Sequence, residues 1–183
     1  MTLAQVFDPL FRVPLANGFL LALVLPVLGA YVRLRNEWLA ALGLAQVTAA
    51  GGVMAILVGV HPLAGSLGAA VVAAAIKGRT ERSGNDVYAV LLFFGWSAAL
   101  LGAANSTRGE ELSHSLLEGQ LYFTTWANLG AALALVAVVA AAGTWLSKRL
   151  LLEHFFPESL AANGASPWKL HLAFDLLVAF SVA

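Results

Sequence analysis

Six long runs of apolar residues, separated by short polar breaks, set the pattern of this chain. The first runs about Val13 to Leu34 and leads into Arg35, Asn36 and Glu37. A second covers about Trp38 to Val60 and ends at His61-Pro62, and a third, about Leu63 to Ile76, is closed by Lys77, Gly78 and Arg79. The fourth run is about Val87 to Ala104, with Asp86 placed to cap its N-terminus. The fifth is about Ala127 to Leu146, and the sixth begins at Trp168. Most of these runs reach the roughly 20 residues needed to cross about 30 Å of hydrocarbon as a helix. The pattern predicts an all-α, polytopic membrane helix bundle of about six spans, forming one domain over residues 1–183. The third run is short for a span, so it is expected to tuck among its neighbours. From Leu170 onward the last run is also too short to cross. The chain is therefore expected to stop inside a helix, as a piece of a longer membrane protein.

The break around which the rest is arranged is the polar interlude Ser147–Lys169. Within it Pro157 can open a helix, because its missing N–H would be unpaired there, and Gly164 can close one in the left-handed conformation. The spacing predicts a helix of roughly two turns outside the lipid, held between two spans. Such a helix suits a groove on a partner protein, although a plain connector with one helical turn fits the same residues.

Composition sets the solvent. The chain is 60% apolar and 11% charged, with a mean hydropathy of +0.83; a soluble domain carries about 25% charged residues. Zero net charge and the lack of a basic stripe exclude nucleic acid as the natural partner. The absence of cysteine removes disulfides, thiolate metal sites and cysteine nucleophiles. No Gly-rich phosphate loop, Ser/His/Asp set or His-Glu-x-x-His helix is present, so ATP hydrolysis and other catalysis are not expected of this chain, nor a bound cofactor.

Cations give the orientation. Arg33, Arg35, Lys77, Arg79, Arg82, Lys148, Arg149 and Lys169 follow the first, third and fifth spans, whereas Arg12 and Arg108 lie on the other side. The positive-inside rule makes the first group cytoplasmic and predicts an outward N-terminus. The spans are rich in small residues: Ala41, Ala45 and Ala49 in the second, Gly65, Ala69 and Ala73 in the third. These let backbones approach, so a tight bundle is expected.

Three constellations carry candidate chemistry. Gln46 and Thr48 lie midway along the second span, where polar side chains face a bundle interior or a translocation path; Thr48 can instead bond a carbonyl one turn back. Glu110, His114 and Glu118 recur every four residues and can hold a divalent ion, or form the solvated face of an interfacial helix with Leu112, Leu116 and Leu117 opposite. His171 and Asp175, one turn apart in the sixth span, can ligate metal or satisfy each other by a mutual hydrogen bond.

The whole order of segments resembles the permease subunit of zinc, manganese and iron ABC importers. The likeness is carried by Pro9-Leu10-Phe11 through Asn17-Gly18-Phe19-Leu20-Leu21-Ala22, by Gly29-Ala30-Tyr31-Val32-Arg33-Leu34-Arg35, and by Leu117-Glu118-Gly119-Gln120-Leu121-Tyr122-Phe123-Thr124-Thr125-Trp126-Ala127-Asn128-Leu129. It is also carried by Phe156-Pro157-Glu158-Ser159-Leu160-Ala161-Ala162-Asn163-Gly164, which resembles that family's cytoplasmic Asp-Pro-Glu-x-Ala-x-x-x-Gly segment. The resemblance implies that Pro157, Glu158, Ala161, Ala162 and Gly164 couple the chain to a separate ATP-binding subunit. It further implies a homodimer in a bacterial inner membrane, an extracytoplasmic metal-binding protein as partner, and Zn2+, Mn2+ or Fe2+ as substrate. The family's second span carries Gly-Asp-Ala-Leu-Ser-His-Ala, whose Asp and His suit the ion. Here the matching residues are Gly43-Leu44-Ala45-Gln46-Val47-Thr48-Ala49, so the Asp position is Leu44 and the His position is Thr48. Neither is a good zinc ligand, which points to an altered substrate such as a metal chelate, or to a truncated or degenerate permease without transport.

Overall fold

The computed structural model describes residues 9–80, 84–105, 107, 124–156 and 167–182. Six helices occupy these residues: α1 (Pro9–Leu34), α2 (Ala40–Leu57), α3 (Pro62–Gly78), α4 (Gly84–Ala104), α5 (Trp126–Phe155) and α6 (Pro167–Val182). No strand occurs among the described residues. Each helix matches one apolar run of the sequence, and the chain is an all-helical membrane protein. Four helices, α1, α2, α4 and α5, are long and apolar enough to cross a membrane. α3 and α6, with 17 and 16 residues, fall short of that length. Large apolar side chains such as Phe19, Phe93, Phe94, Leu101 and Trp126 stand on the outside, as expected where lipid is the solvent.

α2 is packed between α3 and α4, and small residues set how closely. A Cβ built on Gly43 would come within 2.6 Å of the Tyr88 carbonyl oxygen of α4, and one on Gly95 within 2.6 Å of the Gln46 backbone. On the other side Gly51 meets Gly65 and Ala69 of α3 with no room for a Cβ. Gly65 and Ala69 of the expected stripe are thus used. On α2 the close approach to α3 is made at Gly51, while Ala41 is exposed and Ala45 and Ala49 are half-buried.

α1 lies against α5, and α6 touches α2, α3 and α5. α6 therefore sits where the α1–α5 pair meets the α2–α3–α4 group, and it buries Leu170, Phe174, Asp175, Leu177, Val178 and Ala179. Between α1 and α5 a cavity of about 390 Å³ is left, lined by Tyr31, Val136, Val139 and Ser147 among others.

Two boundaries differ from the sequence reading. α5 does not stop at Leu146 but continues to Phe155, so the first third of the Ser147–Lys169 interlude is helix. Leu146 and Leu150 are buried one turn apart, and this packing extends the helix past Lys148 and Arg149. Asp86 lies inside the first turn of α4 and is exposed. The side-chain bonds at that end come from Asn85, which donates to the Asn36 carbonyl at 2.6 Å and accepts from the Leu39 amide at 3.2 Å.

Candidate functional site

α1 ends in a tight turn that aims two opposite charges into the bundle. Asn36 adopts a left-handed conformation with φ 56°. The Glu37 amide reaches back to the Val32 carbonyl at 3.0 Å and the Asn36 amide to the Arg33 carbonyl at 2.9 Å. This is the double closure of a helix end by a left-handed residue, with asparagine in the place glycine most often takes. It sets Arg35 and Glu37 on either side of Asn36, and their side chains meet at 2.9 Å.

Two more charges complete a ring. Lys77, in the last turn of α3, places Nζ 2.8 Å from Glu37 Oε1 and 3.1 Å from Asp175 Oδ2. Asp175 Oδ1 in turn accepts from Arg35 Nη1 at 2.9 Å. Each carboxylate meets both cations and each cation meets both carboxylates, so the ring is neutral. All four side chains are about nine-tenths buried, and that of Asp175 is only 2% exposed. Aromatic rings line it: the Arg35 guanidinium lies 5.0 Å from the centre of Phe174, and Lys77 Nζ 5.8 Å from the centre of Tyr88. An isolated charge buried there would be costly, and mutual pairing is what makes four tolerable.

Beside the ring a cavity of about 400 Å³ is lined by Tyr31, Arg35, Glu37, Glu153, His154 and His171, among others. Across it His171 Nε2 and Glu153 Oε1 are 2.7 Å apart, tying the first turns of α6 to the last turn of α5. The expected hydrogen bond between His171 and Asp175 is therefore not made. The two residues are one turn apart on α6 but find different partners, because α5 and the Arg35–Lys77 ring lie on adjoining sides. Among the described residues, no three His, Asp or Glu side chains converge as a metal site.

On α2, Thr48 is buried and donates its Oγ1 proton to the Ala45 carbonyl at 2.9 Å, the local bond foreseen as its alternative role. Leu44 is fully buried in the apolar core. The two positions that resemble the family's ion pair are thus packed shut, and neither offers a ligand. Gln46 is half-buried, and its Oε1 is enclosed without a hydrogen-bond partner among the described residues. Glu110, His114 and Glu118 lie outside the described residues, as do Pro157, Glu158, Ala161, Ala162 and Gly164.

Arg35 and Lys77 entered the sequence reading only as loop cations that fix orientation, and Glu37 only as part of the polar break after the first run. One signal pointed further: Asp175 stands in an apolar run and needs a cation, and its sequence neighbour His171 cannot serve unless protonated.

The profile of the ABC 3 transport family matches residues 7–183. Among solved structures, PsaBC from Streptococcus pneumoniae in complex with Fab is similar, with a TM-score of 0.76 and 14% sequence identity; the match covers 99% of this chain and 70% of that one. Among curated proteins no match was found.

Proposed function

The chain belongs to the ABC 3 transport family, and from that premise we propose that this multi-pass ABC permease is an importer subunit for a divalent metal ion or its chelate. Zn2+, Mn2+ or Fe2+ is the substrate, and a separate ATP-binding subunit on the cytoplasmic face supplies the energy. The chain itself hydrolyses nothing and holds the path, as one half of a homodimer fed by an extracytoplasmic metal-binding protein in a bacterial inner membrane.

The observation that carries this reading is the arrangement of one end of the bundle. The end of α1, the end of α3 and the facing ends of α5 and α6 are joined there through the charge ring and the Glu153–His171 pair. Exposed Arg33, Arg79, Lys148, Arg149 and Lys169 surround it, so the positive-inside rule makes it cytoplasmic. Pro157–Gly164 connects α5 to α6 at that end and is the segment proposed to meet the ATPase.

The closed state of Leu44 and Thr48 favours a chelate over a bare ion, since a chelate brings its own ligands and needs only a cavity and a few polar atoms such as Gln46 Oε1. The same two residues support the other reading, a degenerate permease without transport. The gene product, purified with its candidate ATPase and placed in proteoliposomes, decides between them. ATP-dependent accumulation of free or chelated 65Zn2+, 54Mn2+ or 55Fe2+ is expected. An assembled complex that moves none of these would establish the degenerate reading.

A further inference from the structure

α6 carries two polar links one turn apart, and they run to different parts of the bundle. His171 is tied to Glu153 at the end of α5. Asp175 is tied to Arg35 beside the α1–α2 turn and to Lys77 of α3. The helix itself is the place where the α1–α5 pair meets the α2–α3–α4 group. Any displacement of the facing ends of α5 and α6 therefore reaches the ring through α6.

We propose that Glu153 and His171 are positioning residues for ATP-driven transport, holding α6 so that movement at its cytoplasmic end is passed to the Arg35–Glu37–Lys77–Asp175 ring. The inference rests on the reading of this chain as a permease with a separate ATPase. Three features of the ring suit it to the task. It is neutral, so it can be rearranged without stranding a charge. Its pairs alternate, so a small shift of α6 exchanges one partner for another instead of leaving Asp175 alone. A buried ion network also adds little stability over apolar residues of the same size, so its worth lies in defining discrete arrangements. The Glu153–His171 pair is the part that can be broken without unfolding the chain. Its side chains are 23% and 35% exposed, and a polar contact so open to water contributes little to stability.

The test uses the full gene product assembled with its ATPase. The chain has no cysteine, so Arg79→Cys and Trp168→Cys, both at exposed positions, allow spin labels at the ends of α3 and α6. Trapping the ATPase with ATP and vanadate is expected to shift the distance between them by about 2 Å or more, the scale of helix shifts in switching proteins. Glu153→Gln and His171→Gln should each cut that shift by at least half while the ATPase still co-purifies within twofold of the parent. The exchanged pair, Glu153→His with His171→Glu, should restore it. An undiminished shift in both single variants overturns the proposal, as does a loss that the exchanged pair fails to restore, or the absence of any shift in the parent. If no ATPase co-purifies with the parent chain, the permease–ATPase reading itself falls, and this inference with it.

Discussion

Lys77 Nζ of α3 stands 3.1 Å from Asp175 Oδ2 of α6, although Lys77 closes the third apolar run of the sequence and Asp175 lies in the sixth. Each side chain is more than nine-tenths buried, so neither has water to turn to if the other is removed. Lys77→Met is expected to destabilise the protein by about 3–5 kcal/mol, because Glu37 and Asp175 are then left to share Arg35 and one buried charge is uncompensated. Lys77→Met combined with Asp175→Asn should recover at least half of that loss. The double variant keeps the Arg35–Glu37 pair, and an asparagine oxygen can still accept from Arg35. Thermal unfolding in detergent measures both. Equal loss in the single and double variants would show that packing, not charge balance, governs the site.

The α2–α3 contact yields a contrast between two glycines. A Cβ at Gly51 meets Gly65 and Ala69 with no room to spare, whereas one at Gly68 has nothing within 4 Å. Gly51→Ala should force the helices apart and cost about 1–3 kcal/mol. Gly68→Ala should be neutral or stabilise by about 0.5–1 kcal/mol, because alanine loses less backbone freedom in a helix. The melting temperature should fall for Gly51→Ala and hold or rise for Gly68→Ala. If the two move together, close approach at Gly51 is not what holds α2 to α3.

Orientation can be read at the two ends of one helix. His61 caps the start of α3, accepting from the Leu63 amide at 3.3 Å, and Arg79 caps its end. Both are exposed, and the charge asymmetry predicts that Arg79 faces the cytoplasm and His61 the other side. In intact cells an impermeant maleimide should label the His61→Cys variant and spare Arg79→Cys until the membrane is opened. Labelling in the reverse order inverts the topology and puts the ring at the outer end of the bundle, against the function proposed above.

The helices were legible in the sequence because lipid demands long apolar runs, and each run became one helix. The small-residue contact was half legible: Gly65 and Ala69 stood in a visible stripe. Their partner Gly51 did not, since which side of α2 faces α3 depends on packing. The end of α5 was misplaced because Lys148 and Arg149 read as a loop. Arg149 in fact lies over the Trp145 ring at 4.5 Å, one turn back, and the helix runs on beneath it. The ring was not legible. Its members are scattered from Arg35 to Asp175, and no spacing rule brings α6 against α2 and α3. His171 looked like the partner of Asp175 because sequence shows only neighbours along one helix, whereas α5 supplies a carboxylate at 2.7 Å.

At the two α2 positions that resemble the family's ion pair, Leu44 is completely buried and Thr48 is 1% exposed. Restoring the pair with Leu44→Asp and Thr48→His thus does not simply add ligands to an open site. The introduced carboxylate replaces an apolar group packed in the core, and burying it unpaired costs several kcal/mol. The Thr48 hydroxyl and its local bond to Ala45 are lost, and the imidazole needs more room than the threonine leaves. The double variant should therefore be markedly less stable than the parent in metal-free buffer. A divalent ion held by the new carboxylate and imidazole would offset that burial, raising the melting temperature with increasing Zn2+ or Mn2+ while the parent shows no such rise. Leu44→Asn with Thr48→Gln, similar in size but poor in affinity for these ions, should lack the response. If the restored pair is as stable as the parent without metal, Leu44 and Thr48 do not close the path, and a bare ion returns as the preferred substrate over a chelate.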